Sequence, residues 1–98
     1  MKNRSKHKDF WVIAYDVASD LRRSRIAKLM EKNGVRVNCS VFECFLTERE
    51  FERLQKKINS LADPREDNII YYPLCLACYS KIQYFPKREV RPKVVTLI

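Results

Sequence analysis

Asp16 is the acidic residue whose place in the sequence most suggests a functional group. It stands near the end of a short apolar run, FWVIAYDV, that is typical of a buried strand. Loops that follow such strands commonly carry functional side chains. An acid in this position is also common as a turn or capping residue, and the sequence alone leaves that alternative open.

Three arginines follow Asp16 in the first turns of a predicted helix, namely Arg22, Arg23 and Arg25. Cations at the N-terminus of a helix oppose its macrodipole by about 0.3 to 1 kcal/mol each, so helix stability does not explain them. Phosphate binding would explain them, and a solvated basic face is the alternative. The pattern favours neither interpretation over the other.

The remaining residue types narrow the available chemistry. His7 is the one histidine and Gly34 the one glycine among the 98 residues. This argues against histidine-based acid-base catalysis and against a glycine-rich phosphate loop. Any hydrolysis would therefore depend on a metal ion and a carboxylate.

Cys75 and Cys78 form a C-x-x-C motif, and Cys39 and Cys44 complete a set of four cysteines. A structural zinc site needs four converging ligands, whereas Cys39 and Cys44 fall in opposite phases of a predicted strand. A redox C-x-x-C motif normally opens a helix, whereas this one is predicted to lead from a strand into a loop. The sequence therefore favours buried, reduced, structural thiols.

The charge of the chain points to a polyanionic partner. Lys and Arg total 20 against 12 Asp and Glu, a formal net charge of +8, so nucleic acid is the expected partner. No apolar run approaches the roughly 20 residues that span a bilayer, and the basic N-terminal residues are not signal-like, so we expect a cytoplasmic protein without membrane contact. The length predicts one domain over residues 1–98, with residues 1–8 as a flexible basic arm.

Apolar periodicity predicts the elements that position these residues. Residues 10–17 are predicted as a central strand. A helix follows over residues 21–33, with Asp20 as its N-cap and Gly34 ending it at a positive φ angle.

The second half of the chain predicts two further strands, a helix and another strand. The apolar phase reverses near Ser40, which divides residues 35–46 into two strands. Thr47 and Glu50 form a capping box at the start of the second helix. The next strand is predicted at residues 68–75.

The end of the chain is predicted to contain more extended structure. Residues 81–85 form a short strand in this prediction, and residues 86–98 form a linker and a C-terminal dimerisation strand. Pro73 cannot donate to a ladder, which favours an edge position for its strand. The order strand, helix, strand, strand, helix, strand predicts an α+β, ferredoxin-like fold.

Short motifs follow one another through almost the whole chain. They are AYDV at 14–17, RRSR at 22–25, GVRV at 34–37, SVFE at 40–43, LT at 46–47, ED at 66–67, LCxxC at 74–78 and KI at 81–82. In this order and spacing they resemble the CRISPR-associated endoribonuclease family, the smaller of the two core proteins of spacer acquisition. Asn38 stands where glutamine is common in that family, which leaves its local contact in doubt.

The resemblance implies a ferredoxin-like homodimer in which residues 94–98 extend the partner's sheet. It implies that Asp16 of each protomer meets its symmetry mate with Mg²⁺ between them. It also implies roles for further residues: Tyr15, Arg23 and Arg25 beside Asp16 in catalysis, and Arg22, Arg36 and Phe42 in contact with nucleic acid.

The implied function is that of a CRISPR adaptation protein, a magnesium-dependent endonuclease for single-stranded RNA, double-stranded DNA or both. The resemblance also implies that it takes part in spacer integration with the partner integrase. Two alternatives stay open. One is a non-catalytic dimeric scaffold that bridges DNA in the integration complex, and the other is a stand-alone toxin-type ribonuclease.

Overall fold

Strand β1 (Lys8–Asp16) lies in the middle of a four-stranded antiparallel sheet in the computed structural model, which describes residues 7–86. It pairs with β3 (Val41–Thr47) on one side and with β4 (Asn68–Leu74) on the other. β2 (Val35–Asn38) pairs with the free edge of β3, giving the order β2-β3-β1-β4. This confirms the predicted central strand, although β1 includes Lys8, which was assigned to the flexible arm.

Two helices cover one face of the sheet. Helix α1 (Asp20–Glu31) contributes the buried side chains of Ile26 and Met30, and helix α2 (Glu48–Leu61) contributes Leu54 and Ile58. The observed order βαββαβ, with both helices packed on one side of the sheet, is the predicted ferredoxin-like arrangement. The core therefore lies between this face and the two helices.

The start of α1 differs from its prediction by one residue. Ser19 is the N-cap, and its side chain accepts a hydrogen bond from the backbone N–H of Arg22 at 3.2 Å. Asp20 is the first residue of the helix and not its cap. Serine and aspartate cap equally well, so their adjacent positions left the choice to the tertiary structure.

Gly34 ends the α1 segment for a different reason than the predicted one. No glycine has a positive φ angle among the described residues, which include Gly34, so that prediction is wrong. The backbone N–H of Gly34 bonds to the carbonyl of Met30 at 2.9 Å. A Cβ at this position would collide with the Cys44 sulfur and lie 2.5 Å from the Glu43 carbonyl oxygen. Glycine is required because β3 approaches the backbone closely.

Two local predictions in the middle of the chain are confirmed. The chain turns at Cys39 and Ser40, between β2 and β3. Thr47 and Glu50 form a reciprocal capping box, with N···O distances of 3.1 and 2.8 Å. The turn and the cap fix where β3 begins and where α2 follows it.

The segment after β4 differs from its prediction. Cys75 leads into a short helix, α3 (Leu76–Tyr79), and residues 81–85 form no strand. The Tyr79 ring packs on Phe10 and Phe45, with centroid distances of 4.7 and 5.1 Å. The Tyr84 hydroxyl donates to the Glu43 carboxylate at 2.7 Å. Side-chain contacts, and not ladder hydrogen bonds, therefore hold this segment on the sheet.

The face of the sheet that lies away from α1 and α2 is called here the open face. Tyr79 and Tyr84 cover one part of it. Elsewhere on this face Ile70 and Tyr72 are 47% and 49% exposed, whereas Ile69 and Tyr71 of the same strand pack against the core on the helix side. The edge position predicted from Pro73 is confirmed.

The predicted linker and dimerisation strand lies beyond Pro86, outside the described residues, as do residues 1–6. Within residues 7–86, none of the helices has the length and apolarity needed to cross a membrane.

Candidate functional site

Asp16 is the last residue of β1, and its side chain is exposed. Its register partner across β4 is Asn68, so both lie on the open face, at the end of the sheet where α1 begins. The Asp16 side chain makes no hydrogen bond or ion pair within the part of the chain that the structure describes. Its carboxylate is therefore available to a ligand.

Arg23 and Arg25 stand near Asp16 at the start of α1. Arg23 pairs with Asp20 at 2.6 Å and donates to the carbonyl of Val17 at 3.2 Å, one residue beyond Asp16. Arg25 is exposed and has no ion pair within residues 7–86. Arg23 thus lies close to the backbone that follows Asp16, and Arg25 presents an unpaired positive charge on the same helix.

Arg22 is committed to an internal contact. Its guanidinium group donates to the Asp67 carboxylate at 2.8 and 3.1 Å and to Glu66 at 3.0 Å. The Asp67 side chain is fully buried, and it also accepts the backbone N–H groups of Ala18 and Asp63. Arg22 thus uses its Nε and Nη2 in these internal bonds and is 25% exposed, and its contact with nucleic acid stays a prediction.

The Arg22–Asp67 pair is strongly charge-stabilised. The hydrogen bond from Arg22 and those from the backbone of Asp63 and Ala18 hold the pKa of Asp67 far below its usual range, although burial opposes this. The hydrogen bonds to Asp67 and Glu66 raise the pKa of Arg22. The pair stays ionised at neutral pH and ties the loop after β1 to the turn before β4.

Tyr15 lies on the helix side of β1, opposite to Asp16. It is 4% exposed, and its ring stacks on Phe42 at a centroid distance of 6.2 Å. Its hydroxyl is buried without a hydrogen-bond partner in the described structure. Burial raises the pKa of this hydroxyl, and Arg36 opposes the rise. Tyr15 therefore supports the site from the core and does not present its hydroxyl at the surface.

Phe42 and Arg36 form a separate pair on the same side of the sheet. Phe42 is fully buried, so the predicted contact of its ring with nucleic acid does not occur in this conformation. The Arg36 guanidinium lies over that ring at 5.0 Å and bonds to Glu31 at 3.0 Å and to the Cys39 carbonyl at 2.7 Å. Arg36 remains 42% exposed and could still reach an anion from its outer side.

The acidic residues do not assemble a complete metal site within one chain. In the range 7–86, no three His, Cys, Asp or Glu side chains converge as metal ligands. Within residues 7–86, Asp16 therefore belongs to no such group. A hard cation such as Mg²⁺ is commonly held by one or two carboxylates and several waters, so this donor suits it where a second carboxylate is supplied from outside.

Asp67 is the important residue that the sequence analysis did not single out. Glu66 and Asp67 form the ED motif that precedes β4, and this motif was the sequence signal for the ion pair with Arg22. Glu66 and Asp67 form ion pairs with Arg22, and Asp20 forms an ion pair with Arg23. Ion pairs within the chain thus explain why Arg22 and Arg23 lie at the start of α1. The sequence analysis had considered phosphate binding or a solvated basic face as the reason.

The fold and this end of the sheet define a ferredoxin-like α+β protein with an exposed acid after its central strand and arginines at the start of the following helix. The sequence profile of the family described as CRISPR associated protein Cas2 matches residues 9–82. The chain belongs to this family, which confirms the resemblance found in the sequence.

Individual relatives agree with the family. The chain is 45% identical over 64 residues to CRISPR-associated endoribonuclease Cas2 3 of Synechocystis sp., covering 65% of this chain and 70% of the relative. The crystal structure of Streptococcus pyogenes Cas2 at pH 6.5 superposes with a TM-score of 0.70 at 29% identity, covering 76% of this chain and 96% of that one. A chain of a partial Cas6-RT-Cas1–Cas2 complex gives a TM-score of 0.70 at 27% identity and covers 90% and 99%.

Proposed function

We propose that this chain is a CRISPR adaptation protein whose homodimer binds nucleic acid and hydrolyses phosphodiester bonds with Mg²⁺ held by Asp16. The observation that carries the proposal is the exposed Asp16 carboxylate, which no other group in the described chain engages. The endoribonuclease name of the Synechocystis relative supports the same activity. The net charge of +8 supports a polyanionic substrate, RNA, DNA or both.

The open face supports the proposed homodimer. Ile70 and Tyr72 leave apolar surface exposed there, on the same face of the sheet as Asp16. A second copy packed on this face by two-fold symmetry covers that surface and brings the two Asp16 residues towards each other. We expect Ile70→Glu to give a monomer in analytical ultracentrifugation and to lose cleavage, whereas a dimer that persists would contradict this arrangement.

The metal site would be completed between the two copies. Two Asp16 carboxylates and several waters suit Mg²⁺, whereas a single Asp16 is a sparse ligand set. Bound Mg²⁺ supplies polarisation of a phosphoryl oxygen and a lowered pKa of a coordinated water. Arg25, and Arg23 once released from Asp20, bind phosphate oxygens and stabilise the charge that develops on them.

The test is a magnesium-titrated cleavage assay on single-stranded RNA and double-stranded DNA. Asp16→Asn should lose magnesium-dependent cleavage. Asp9→Asn is the matched control, because Asp9 is an exposed acid near the opposite end of β1, and it should cleave like the wild type. Thermal unfolding of both variants should match the wild type. Cleavage that persists in Asp16→Asn would refute the assignment and point to a contaminating nuclease.

A second candidate function is a non-catalytic scaffold that bridges DNA for the partner integrase. A single Asp16 carboxylate from each chain is a sparse ligand set for an efficient nuclease. In addition, a chain similar to this one occurs in the partial Cas6-RT-Cas1–Cas2 complex. A spacer-acquisition assay in cells separates the two functions. If Asp16→Asn abolishes cleavage but leaves spacer acquisition intact, acquisition depends on the scaffold function. Loss of both would make cleavage part of acquisition.

A further inference from the structure

The C-x-x-C motif takes no part in the proposed nuclease site. Cys75 directly follows β4 as the N-cap residue of α3, and Cys78 lies inside α3. Both side chains are exposed. The sequence analysis expected buried thiols and a loop here, and both expectations are wrong, because the chain forms a helical turn immediately after β4.

The two cysteines lie one helical turn apart. Cys75 is the N-cap and Cys78 the third residue of α3, so their side chains project from the same side of the turn. The backbone N–H and the thiol of Cys78 lower the pKa of Cys75, since both stabilise a thiolate. Cys75 in turn raises the pKa of Cys78. The pair is thus chemically asymmetric, with Cys75 as the better thiolate.

The turn is held in place, so the one-turn spacing of the two cysteines is a property of the fold. The Tyr79 backbone N–H donates to the Cys75 carbonyl at 2.9 Å. The Tyr79 ring packs against both Phe10 and Phe45 of the sheet. The hydrogen bond and the ring contacts of Tyr79 therefore fix the backbone between Cys75 and Cys78.

The other two cysteines have different environments. Cys44 is fully buried, and burial raises its pKa to about 12, so it is inert towards soluble reagents. Cys39 is exposed. The described residues bring no third cysteine, histidine or acid to the Cys75 and Cys78 pair, so a closed structural metal site is not supported there.

We infer that Cys75 and Cys78 are a redox-active dithiol that closes to an intramolecular disulfide by exchange with a low-molecular-weight disulfide. The Cys75 thiolate attacks one sulfur of the small disulfide, forming a mixed disulfide and releasing one small thiol. Cys78, on losing its proton to solvent, attacks the Cys75 sulfur and releases the second small thiol. The two protein thiols are oxidised to one disulfide, and the small disulfide is reduced to two thiols. This inference is independent of the proposed nuclease function.

The test uses the full-length protein with Cys39→Ser, so that Cys75 and Cys78 are its exposed cysteines. Incubation with oxidised glutathione at neutral pH should reduce its intact mass by two hydrogen atoms and remove both exposed thiols. Dithiothreitol should restore them. In Cys78→Ser the reaction should stop at the glutathione adduct on Cys75, and in Cys75→Ser the remaining thiol should react more slowly.

Three outcomes would overturn the inference. One is a wild-type pair that keeps both thiols while the exposed Cys39 of the unmodified protein becomes glutathionylated. Another is a disulfide-linked dimer on a non-reducing gel in place of the closed monomer. The third is equal reaction rates in Cys75→Ser and Cys78→Ser, which would show that Cys75 is not the more reactive thiol of the pair.

Discussion

The carboxylate of Asp67 holds the guanidinium group of Arg22 by two parallel contacts, Nε to Oδ2 at 2.8 Å and Nη2 to Oδ1 at 3.1 Å. The same carboxylate accepts the backbone N–H of Ala18 at 3.0 Å, two residues beyond Asp16. One buried acid therefore fixes both the first turn of α1 and the loop that follows Asp16. This contact positions the backbone around the candidate site.

Loss of the Asp67 charge should destabilise the protein in a pH-dependent way. Because the pKa of Asp67 is lowered in the folded protein, its contribution is fully present above the ordinary value of 3.8 and is lost as the pH falls through the lower folded value. We expect Asp67→Asn to lower the thermal midpoint by several degrees at pH 7. The gap to the wild type should narrow below about pH 4.

Glu66→Gln is the matched control for this prediction. The Glu66 side chain is 60% exposed and contacts the same guanidinium group, so its loss should change stability little. Equal effects of the two substitutions, or a difference between Asp67→Asn and wild type that does not vary with pH, would contradict the role given to Asp67.

Gly34→Ala should destabilise the protein by about 1 to 3 kcal/mol, because its Cβ would collide with the backbone of Glu43. Urea unfolding measures this. Gly34→Asn distinguishes the cause, since asparagine tolerates a positive φ angle but is larger than alanine. We expect Asn to be at least as destabilising as Ala. A milder effect of Asn would indicate a conformational requirement for glycine instead.

Tyr15→Phe should stabilise the fold by about 1 kcal/mol, because it removes a buried hydroxyl that has no hydrogen-bond partner in the described structure. Magnesium-dependent cleavage should persist, which would correct the catalytic role implied for Tyr15. Tyr71→Phe is the control, because its hydroxyl is also buried and unpartnered in residues 7–86. Loss of cleavage in Tyr15→Phe alone, with the fold intact, would restore the catalytic role.

Binding of nucleic acid should be strongly salt-dependent. If six to ten phosphates are contacted, affinity falls by about three to five orders of magnitude between 50 and 200 mM salt. We expect Arg25→Gln to lower the slope of log K against log salt by about one. Arg22→Gln, measured below its unfolding temperature, should leave the slope unchanged because Arg22 is bound to Asp67. The opposite ranking would mean that Arg22 leaves its partner to bind phosphate.

Features encoded within a few neighbouring residues were predictable from the sequence. The apolar run of β1 and the Thr47–Glu50 capping box are examples, since each depends on adjacent side chains and backbone groups. The phase reversal at Ser40 likewise located the turn between β2 and β3. These elements together were sufficient for the ferredoxin-like order.

Features that depend on distant residues were not predictable. The Arg22–Asp67 pair joins positions 45 residues apart. The requirement for Gly34 depends on how closely β3 approaches it. Helix α3 was missed for a different reason, because its four residues are too few to show the periodicity of a helix. For Asp16 the sequence indicated the strand end, but only the structure places its side chain in solvent on the open face.

The two outer strands also limit how copies of this protein can join. β4 carries Pro73, whose nitrogen has no hydrogen to offer an added strand, and β2 is only four residues long with a register irregularity. Lateral growth of the sheet into fibrils is therefore disfavoured at either margin. Crowded molecules would therefore find few backbone groups to pair with along these edges, which opposes open-ended polymerisation of the sheet.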